Sequence, residues 1–515
     1  MLGEFRNEPL ENFFDEKNRS AMLDALERVQ GQLGRKWDLV IGGERVATEA
    51  RIASEDPSDV SRIVGYAAKA SREQAEQAVQ AAVRAFAEWK NVDPAVRARC
   101  LYKAAAIMRR RKFDLSAWMI VEAGKTWAEA DADTAEAIDF LEFYARETVR
   151  LAQRQPLVRL PGEDNELQYI ALGVGVIIPP WNFPLAILTG MTAAAIAVGN
   201  TVVVKPASAT PVIAAQLFEI LEEAGVPAGV ANYLPGAGGE IGDYLVAHPQ
   251  TRFINFTGSR DVGLHISELA AKTAPGQKWI KRVVAEMGGK DAMVIDEGVS
   301  VEEAAQAVVA SSFGFGGQKC SACSRAIIHA SLYDAVAARV VEMTQALRVG
   351  PALDQKSHVG PVVDRQAHKK ILEYIEIGKS EGTLLCGGAA APGNGYYIAP
   401  TVFGDVPTEA RIAQEEIFGP VLALTRAQNF EEAIALANGT DYGLTGGVFS
   451  RNREHLEYAR REFHVGNLYF NRKCTGAQVG VHPFGGFNMS GTDSKAGGRD
   501  YLYLFTQAKV VSEKL

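Results

Sequence analysis

An α/β fold built on parallel sheets is what this sequence predicts, and three observations carry the prediction. Short apolar runs alternate with segments of helical period from residue 174 to residue 449, the signature of strands joined by crossover helices. The stretch Leu167–Val204 holds no charged side chain over 38 residues, as expected of strands covered on both faces. The chain has 515 residues, 47% hydrophobic and 23% charged, an ordinary globular composition. At roughly 150 residues per domain, about two to four domains follow.

The first 150 residues read as mostly helical, and amphipathic segments at 72–89 and 95–122 are expected to cover the first sheet. The uncharged stretch is long enough to span a bilayer. Pro179, Pro180 and Pro184, with Asn182 and Asn200, break it. It reads instead as strand Val174–Ile178, turn Pro179–Pro184, helix Leu185–Val198 and strand Thr201–Val204, a buried βαβ unit. Helical period returns at 211–224, then a short strand at Val230–Leu234 and a helix at Glu240–Ala247. Strand Phe253–Phe256, a helix from about Asp261 and strand Val283–Ala285 complete this unit.

A second series begins at Ala292–Ile295 and continues through helix 301–312, strand Ala326–Ala330 and helix 332–347. Strands Tyr397–Phe403, Val421–Leu424 and Gly446–Phe449, with a helix at 430–437, follow. The two units divide near Gly288–Gly289, and Tyr501–Val511 alternates as a strand does. No internal repeat or low-complexity tract interrupts the series.

Lys and Arg total 54 against 62 Asp and Glu, a net charge of -8. That balance excludes general nucleic-acid binding, which needs clustered positive charge. Met1 to Ser20 mixes acidic and basic residues without an apolar core, so neither a secretory signal nor a transit peptide is expected. The five cysteines Cys100, Cys320, Cys323, Cys386 and Cys474 are odd in number and scattered. A disulfide scaffold does not fit them, and a reduced cytoplasmic compartment does.

Four places could carry chemistry. Cys320 follows a glycine-rich turn in Phe315-Gly316-Gly317-Gln318-Lys319-Cys320-Ser321-Ala322-Cys323. The glycines admit a ligand close to the backbone, and the adjacent lysine is expected to favour the thiolate. A buried cysteine or a redox pair with Cys323 are the alternatives at this point. Zinc needs two further ligands at suitable spacing, and Cys386 and Cys474 stand alone, so no metal is expected. Glu286 ends an apolar strand before two glycines, where a buried carboxyl gains the pKa of a general base or merely caps a turn. Asn182 lies in Ile178-Pro179-Pro180-Trp181-Asn182-Phe183-Pro184, a turn stiffened by proline, as an oxyanion donor or a turn former. Phe256-Thr257-Gly258-Ser259-Arg260 is a strand-to-helix turn with free N–H groups for a phosphate, without the G-x-G-x-x-G fingerprint.

Read together and in order, P-W-N-F-P, V-V-K-P-A-S, F-T-G-S, E-M-G-G-K, G-Q-K-C, E-E-I-F-G-P and P-F-G-G-F resemble the aldehyde dehydrogenase superfamily over residues 40 to 511. The resemblance implies an α/β fold with an atypical Rossmann cofactor domain, an α/β catalytic domain and a small β oligomerisation arm. These are expected at 1–148 with 173–287, at 288–470, and at 149–172 with 490–515. It implies Cys320 as nucleophile, Glu286 as general base and Asn182 as oxyanion donor beside the Cys320 N–H. Lys205 would hold the adenosine ribose, with Ser208 nearby, Gly258 and Ser259 the pyrophosphate, Glu416 the nicotinamide ribose, and Phe418, Ile178, Pro180 and Trp181 the rest of the cofactor.

The stretch Lys473–Gly498, with G-G-Q-K-C-S-A-C-S-R, is most similar to family members that oxidise L-glutamate γ-semialdehyde in proline degradation. By that resemblance Gly476, Ala477 and Ser321 receive the α-carboxylate, Glu136 the α-ammonium, and Phe183 and Phe484 wall the aliphatic part. Many members carry an acidic residue three positions after the lysine of V-V-K-P, where this chain has Ser208. A carboxylate there repels a 2′-phosphate, so both NAD and NADP are expected as cofactors. Another semialdehyde, or a non-catalytic member, are the competing readings. The partners implied are a small-molecule substrate, a second copy in a homodimer or multiple of dimers, and a functional link to a proline dehydrogenase, with no nucleic acid and no membrane span.

Overall fold

The computed structural model describes residues 3–515, so Met1 and Leu2 of the N-terminal reading and of the first expected domain lie outside the described residues. Two seven-stranded sheets organise the chain. In the first, Arg282–Glu286, Thr251–Thr257, Val174–Ile178, Thr201–Val204 and Ala231–Tyr233 run parallel in that spatial order. Val202, Val203 and Val204 are fully buried, which is why this strand reads as an unbroken apolar run. The sheet is not purely parallel: Leu39–Ile41 joins Ala231–Tyr233 antiparallel and pairs with Glu44–Val46. The second sheet is ordered Thr383–Cys386, Thr401–Gly404, Val421–Ala427, Arg325–His329, Ala292–Ile295, Thr445–Phe449 and Asn467–Phe470. Only its first strand is antiparallel.

The uncharged stretch is the core of the first sheet, with helix Ala186–Ala197 buried along almost its whole length. Among the described residues no helix is long and apolar enough to cross a membrane. Glu163–Ala171 pairs antiparallel with Thr506–Lys514 as a two-stranded ribbon, from Thr506 opposite Ala171 to Lys514 opposite Glu163.

Several boundaries differ from the sequence reading for physical reasons. The segment 95–122 is two helices, Pro94–Arg110 and Lys112–Ala123, broken at Arg111. Arg109, Arg110, Arg111 and Lys112 are consecutive cations, and the break turns Lys112 inward to ion-pair with Glu11 at 3.0 Å and Asp131 at 3.1 Å. At the C-terminus Tyr501–Phe505 is a 3-10 turn, and the strand starts only at Thr506. Tyr501, Leu502 and Phe505 are all buried, so that segment packs into the core before the chain leaves it. The strand expected from Tyr397 begins at Thr401, and Glu240–Ala247 is a π turn followed by the short helix Asp243–Ala247.

Candidate active site

The reactive residues sit where strands and helices end. Helix Val301–Phe313 runs into a 3-10 turn, Gly314–Gly317, in which Phe315, Gly316 and Gly317 all have positive φ. Gln318 pins this turn: its Nε2 donates to Phe315 O at 3.1 Å and its Oε1 accepts from Val363 N at 2.9 Å. Cys320 follows, half-buried, lining a cavity of about 560 Å³. Gly288 and Gly289 make room for this arrangement. A Cβ on Gly289 would lie 2.6 Å from Cys320 O, and one on Gly288 would overlap the Glu416 carboxylate.

The cavity collects Cys320, Glu286, Glu136, Phe183, Ser321, Gly476, Ala477 and Phe484. Glu286 closes strand Arg282–Glu286 and is buried. Burial pushes its carboxyl up to about 8 against the pull of the Lys495 ammonium. Burial, and after it the carboxylates of Glu286, Asp291 and Glu416, push the Cys320 thiol well above its ordinary value. This corrects the expectation of a thiolate favoured by Lys319. Its ammonium is spent on Glu129, 2.7 Å away, and burial with the facing carboxylates decides the balance. Cys320 rests as a thiol and needs a base beside it.

Asn182 does not line the cavity. Its Nδ2 donates to Gln318 O at 3.0 Å, which places the buried amide against the cysteine loop with one N–H left over.

Glu136, on helix Trp127–Leu151, also lines the cavity and finds no partner among the described residues, and burial followed by neighbouring Asp133 raises its carboxyl to about 8. Neither the Gly476 nor the Ala477 N–H meets a protein acceptor among the described residues. Arg472 holds their loop through Thr475 O at 2.8 Å and Gly476 O at 3.3 Å. The cavity holds both bare donors and a bare carboxyl among the described residues, a pair suited to a zwitterion.

The residues expected to touch a cofactor cluster at the carboxyl edge of the first sheet. Ile178, Lys205 and Gly258 follow or end adjacent parallel strands. The chain switches direction between Val174–Ile178 and Thr251–Thr257, where doubly wound sheets bind ligands. Helix Arg260–Ala271 begins here with Ser259 at its N-cap making no side-chain cap bond, so its first N–H groups are free. Lys205 Nζ is buried and among the described residues makes one bond, to Pro206 O at 3.3 Å, and burial lowers its pKa to about 8. Glu416 Oε1 accepts from Gly289 N at 3.1 Å, and the Phe418 ring meets Trp181 edge-on at 5.4 Å. Pro180 stands in the same turn as Trp181, and Ser208 is exposed just beyond Lys205. An under-bonded buried ammonium, free helix donors and a glycine cradle under Glu416 fit a dinucleotide.

Sequence reasoning missed several residues. Lys125 and Asp133 form a fully buried ion pair at 3.0 Å, and the Lys125 ammonium lies 4.1 Å from the Phe183 ring centre. Lys495 Nζ donates to Gly466 O at 2.7 Å and Gly485 O at 2.5 Å beside Glu286. Asn7, Glu8 and Leu10 reach the cavity from the N-terminal segment. No local motif signals contacts made across such sequence distances. Among the described residues no cluster of three His, Cys, Asp or Glu could hold a metal.

Comparison with known proteins places this geometry. A model described as the aldehyde dehydrogenase family matches residues 45–511. The chain is 60% identical over 513 residues, covering 100% of both chains, to a 1-pyrroline-5-carboxylate dehydrogenase of Geobacillus kaustophilus. It is similar to the crystal structure of a 1-pyrroline-5-carboxylate dehydrogenase from Thermus with bound NAD, at 56% identity and a TM-score of 0.99 over 100% of both chains. Proline utilization A from Bdellovibrio bacteriovorus matches at 46% identity and a TM-score of 0.98, covering 99% of this chain and 53% of that one.

Proposed function

The chain belongs to the aldehyde dehydrogenase family, and on that premise we infer that it oxidises L-glutamate γ-semialdehyde, the hydrolysed form of 1-pyrroline-5-carboxylate, to L-glutamate with NAD. One observation carries the reading: a single cavity unites a cysteine, a raised carboxyl, an unpartnered carboxyl and two bare backbone N–H groups.

In the mechanism, Glu286 takes the Cys320 proton as sulfur bonds to the aldehyde carbon. The Cys320 N–H stabilises the oxyanion of the thiohemiacetal, joined by the remaining N–H of Asn182, which is held behind the cavity lining against the cysteine loop through Gln318 O. NAD supplies the acceptor for the hydride that leaves as the thiohemiacetal becomes a thioester. Glu286 gives up the first proton to solvent, then deprotonates water for attack on the thioester carbonyl. The carbon–sulfur bond breaks, the acid leaves, and the proton passes from Glu286 to the departing thiolate, which restores thiol and carboxylate. Gly476, Ala477 and Ser321 hold the α-carboxylate, Glu136 the α-ammonium, and Phe183 and Phe484 the methylenes. A bound ammonium draws Glu136 back to its carboxylate form. Lys205 and Ser208 serve the adenosine ribose, Gly258, Ser259 and the helix N-terminus the pyrophosphate, and Glu416 the nicotinamide ribose. Phe418 stands beside the nicotinamide ring, and Ile178, Pro180 and Trp181 line the rest of the cofactor.

NADP is accepted as well, because Ser208 is exposed and carries no charge to repel a 2′-phosphate. The cofactor domain comprises 1–148 and 173–287, the catalytic domain 288–470, and the arm 149–172 with 490–515. The exposed Val510 and Val511 of the ribbon support a homodimer or a multiple of dimers. The match to about half of a longer proline utilization protein supports a functional link to a proline dehydrogenase. The free cysteines support work in the cytoplasm. The test is product analysis: purified protein given 1-pyrroline-5-carboxylate and NAD forms one L-glutamate per reduced cofactor. Cofactor reduction without L-glutamate would refute the substrate.

A further inference from the structure

Residues 3–12 form no regular secondary structure and lie outside the family-matched residues, yet Asn7, Glu8 and Leu10 line the catalytic cavity. The segment runs along helix Trp127–Leu151, and two aspartates of that helix hold it. Asp131 Oδ2 accepts from Glu11 N and Asp139 Oδ1 from Glu8 N, both at 2.7 Å. Phe5 packs edge-on against Phe143, centroids 5.3 Å apart, and a Cβ on Gly480 would lie 3.2 Å from the Phe5 ring.

Asn7 is the link to the substrate loop. Its Nδ2 donates to Asp139 Oδ2 at 2.8 Å and to Val479 O at 3.0 Å, so both amide hydrogens are committed. Val479 lies two residues after Ala477. The adjoining Gly480 N donates to Gly497 O at 2.8 Å. Arg472 holds the near side of the loop bearing the bare Gly476 and Ala477 N–H groups, and the far side has one anchor in the C-terminal segment and one in the N-terminal segment. Burial raises the Asp139 carboxyl only to about 6, so near neutral pH it is ionised and the Asn7 bond to it is charge-assisted.

We propose that Asn7 is a positioning residue for the substrate. By holding Val479 it fixes the Gly476 and Ala477 N–H groups on the α-carboxylate, so the N-terminal segment confers preference for an amino-acid semialdehyde over a simple aldehyde. This rests on the substrate reading above.

The experiment compares Asn7→Ala and the equal-sized Asn7→Asp with the wild type, using 1-pyrroline-5-carboxylate and propanal. KM for the semialdehyde is expected to rise roughly tenfold, the scale of one lost charge-assisted hydrogen bond. kcat and the propanal kcat/KM are expected to stay within about twofold, and amide hydrogen exchange at 476–480 to quicken. Parallel losses on both aldehydes, unchanged KM, or a raised KM with unchanged exchange would each overturn the proposal. Wild-type protein active on propanal but inert toward 1-pyrroline-5-carboxylate would instead remove the substrate reading beneath it.

Discussion

Glu286→Gln separates a general base from a buried structural carboxyl, because the two roles predict different pH profiles. With its pKa at about 8, Glu286 is ionised to roughly one part in eleven at pH 7 and ten in eleven at pH 9. A step that needs the carboxylate therefore accelerates roughly tenfold across that interval, with an inflexion near pH 8. The amide keeps the size of the side chain and removes the titration. Single-turnover rates with saturating substrate and NAD are expected to fall by about 10²–10⁴ and to lose the inflexion. Lys495→Met supplies a second reading of the same group. The Lys495 ammonium lowers the Glu286 pKa, so its removal is expected to move the inflexion to higher pH. A flat wild-type profile, or an inflexion surviving in Glu286→Gln, would refute the assignment.

Cys320→Ala is expected to abolish dehydrogenation while Cys323→Ala keeps it, since Cys323 is buried and donates to Arg325 O at 3.3 Å; steady-state assays distinguish a nucleophile from a redox pair. Ser208→Glu is expected to depress NADP use selectively, read from the ratio of kcat/KM for the two cofactors. Glu122 accepts from Val212 N and Ile213 N at 2.7 Å and from Ser54 Oγ at 2.8 Å, capping helix Pro211–Glu223, so Glu122→Ala should cost about 3 kcal/mol in urea unfolding. Burial raises the folded Glu122 pKa to about 7 from an ordinary 4.5. The stability tied to its protonation is full below 4.5 and lost as pH rises through 7, so Glu122→Gln should compare better with wild type at pH 8 than at pH 5.

The strands Val174–Ile178 and Thr201–Val204 were readable because burial on both faces leaves continuous apolar runs that proline and glycine punctuate. Cys320 and Glu286 were readable for a related reason. Each stands at an element end beside glycines whose absence of Cβ admits close backbone approach, as Gly289 does toward Cys320 O. Glu416 and Phe418 carry no such local sign; a carboxylate in a loop has no legible address until Gly288 is seen beneath it. Lys319 misled because adjacency in sequence says nothing of Glu129, 190 residues away, which takes its charge. Asn7 and Lys125 stayed hidden for the same reason. Their roles come from partners brought together by the fold, Val479 and Asp133. Arg111 broke an amphipathic period that looked continuous, and Lys112 beyond it turns to the carboxylates of Glu11 and buried Asp131, which no local pattern announces.

The most direct test is the ratio of kcat/KM for L-glutamate γ-semialdehyde to that for an aldehyde of equal carbon length lacking the amino and carboxylate groups. If Glu136, Gly476, Ala477 and Ser321 recognise the zwitterion, losing both charged contacts should lower kcat/KM by roughly 10³-fold or more. Equal kcat/KM values for the two aldehydes would contradict it.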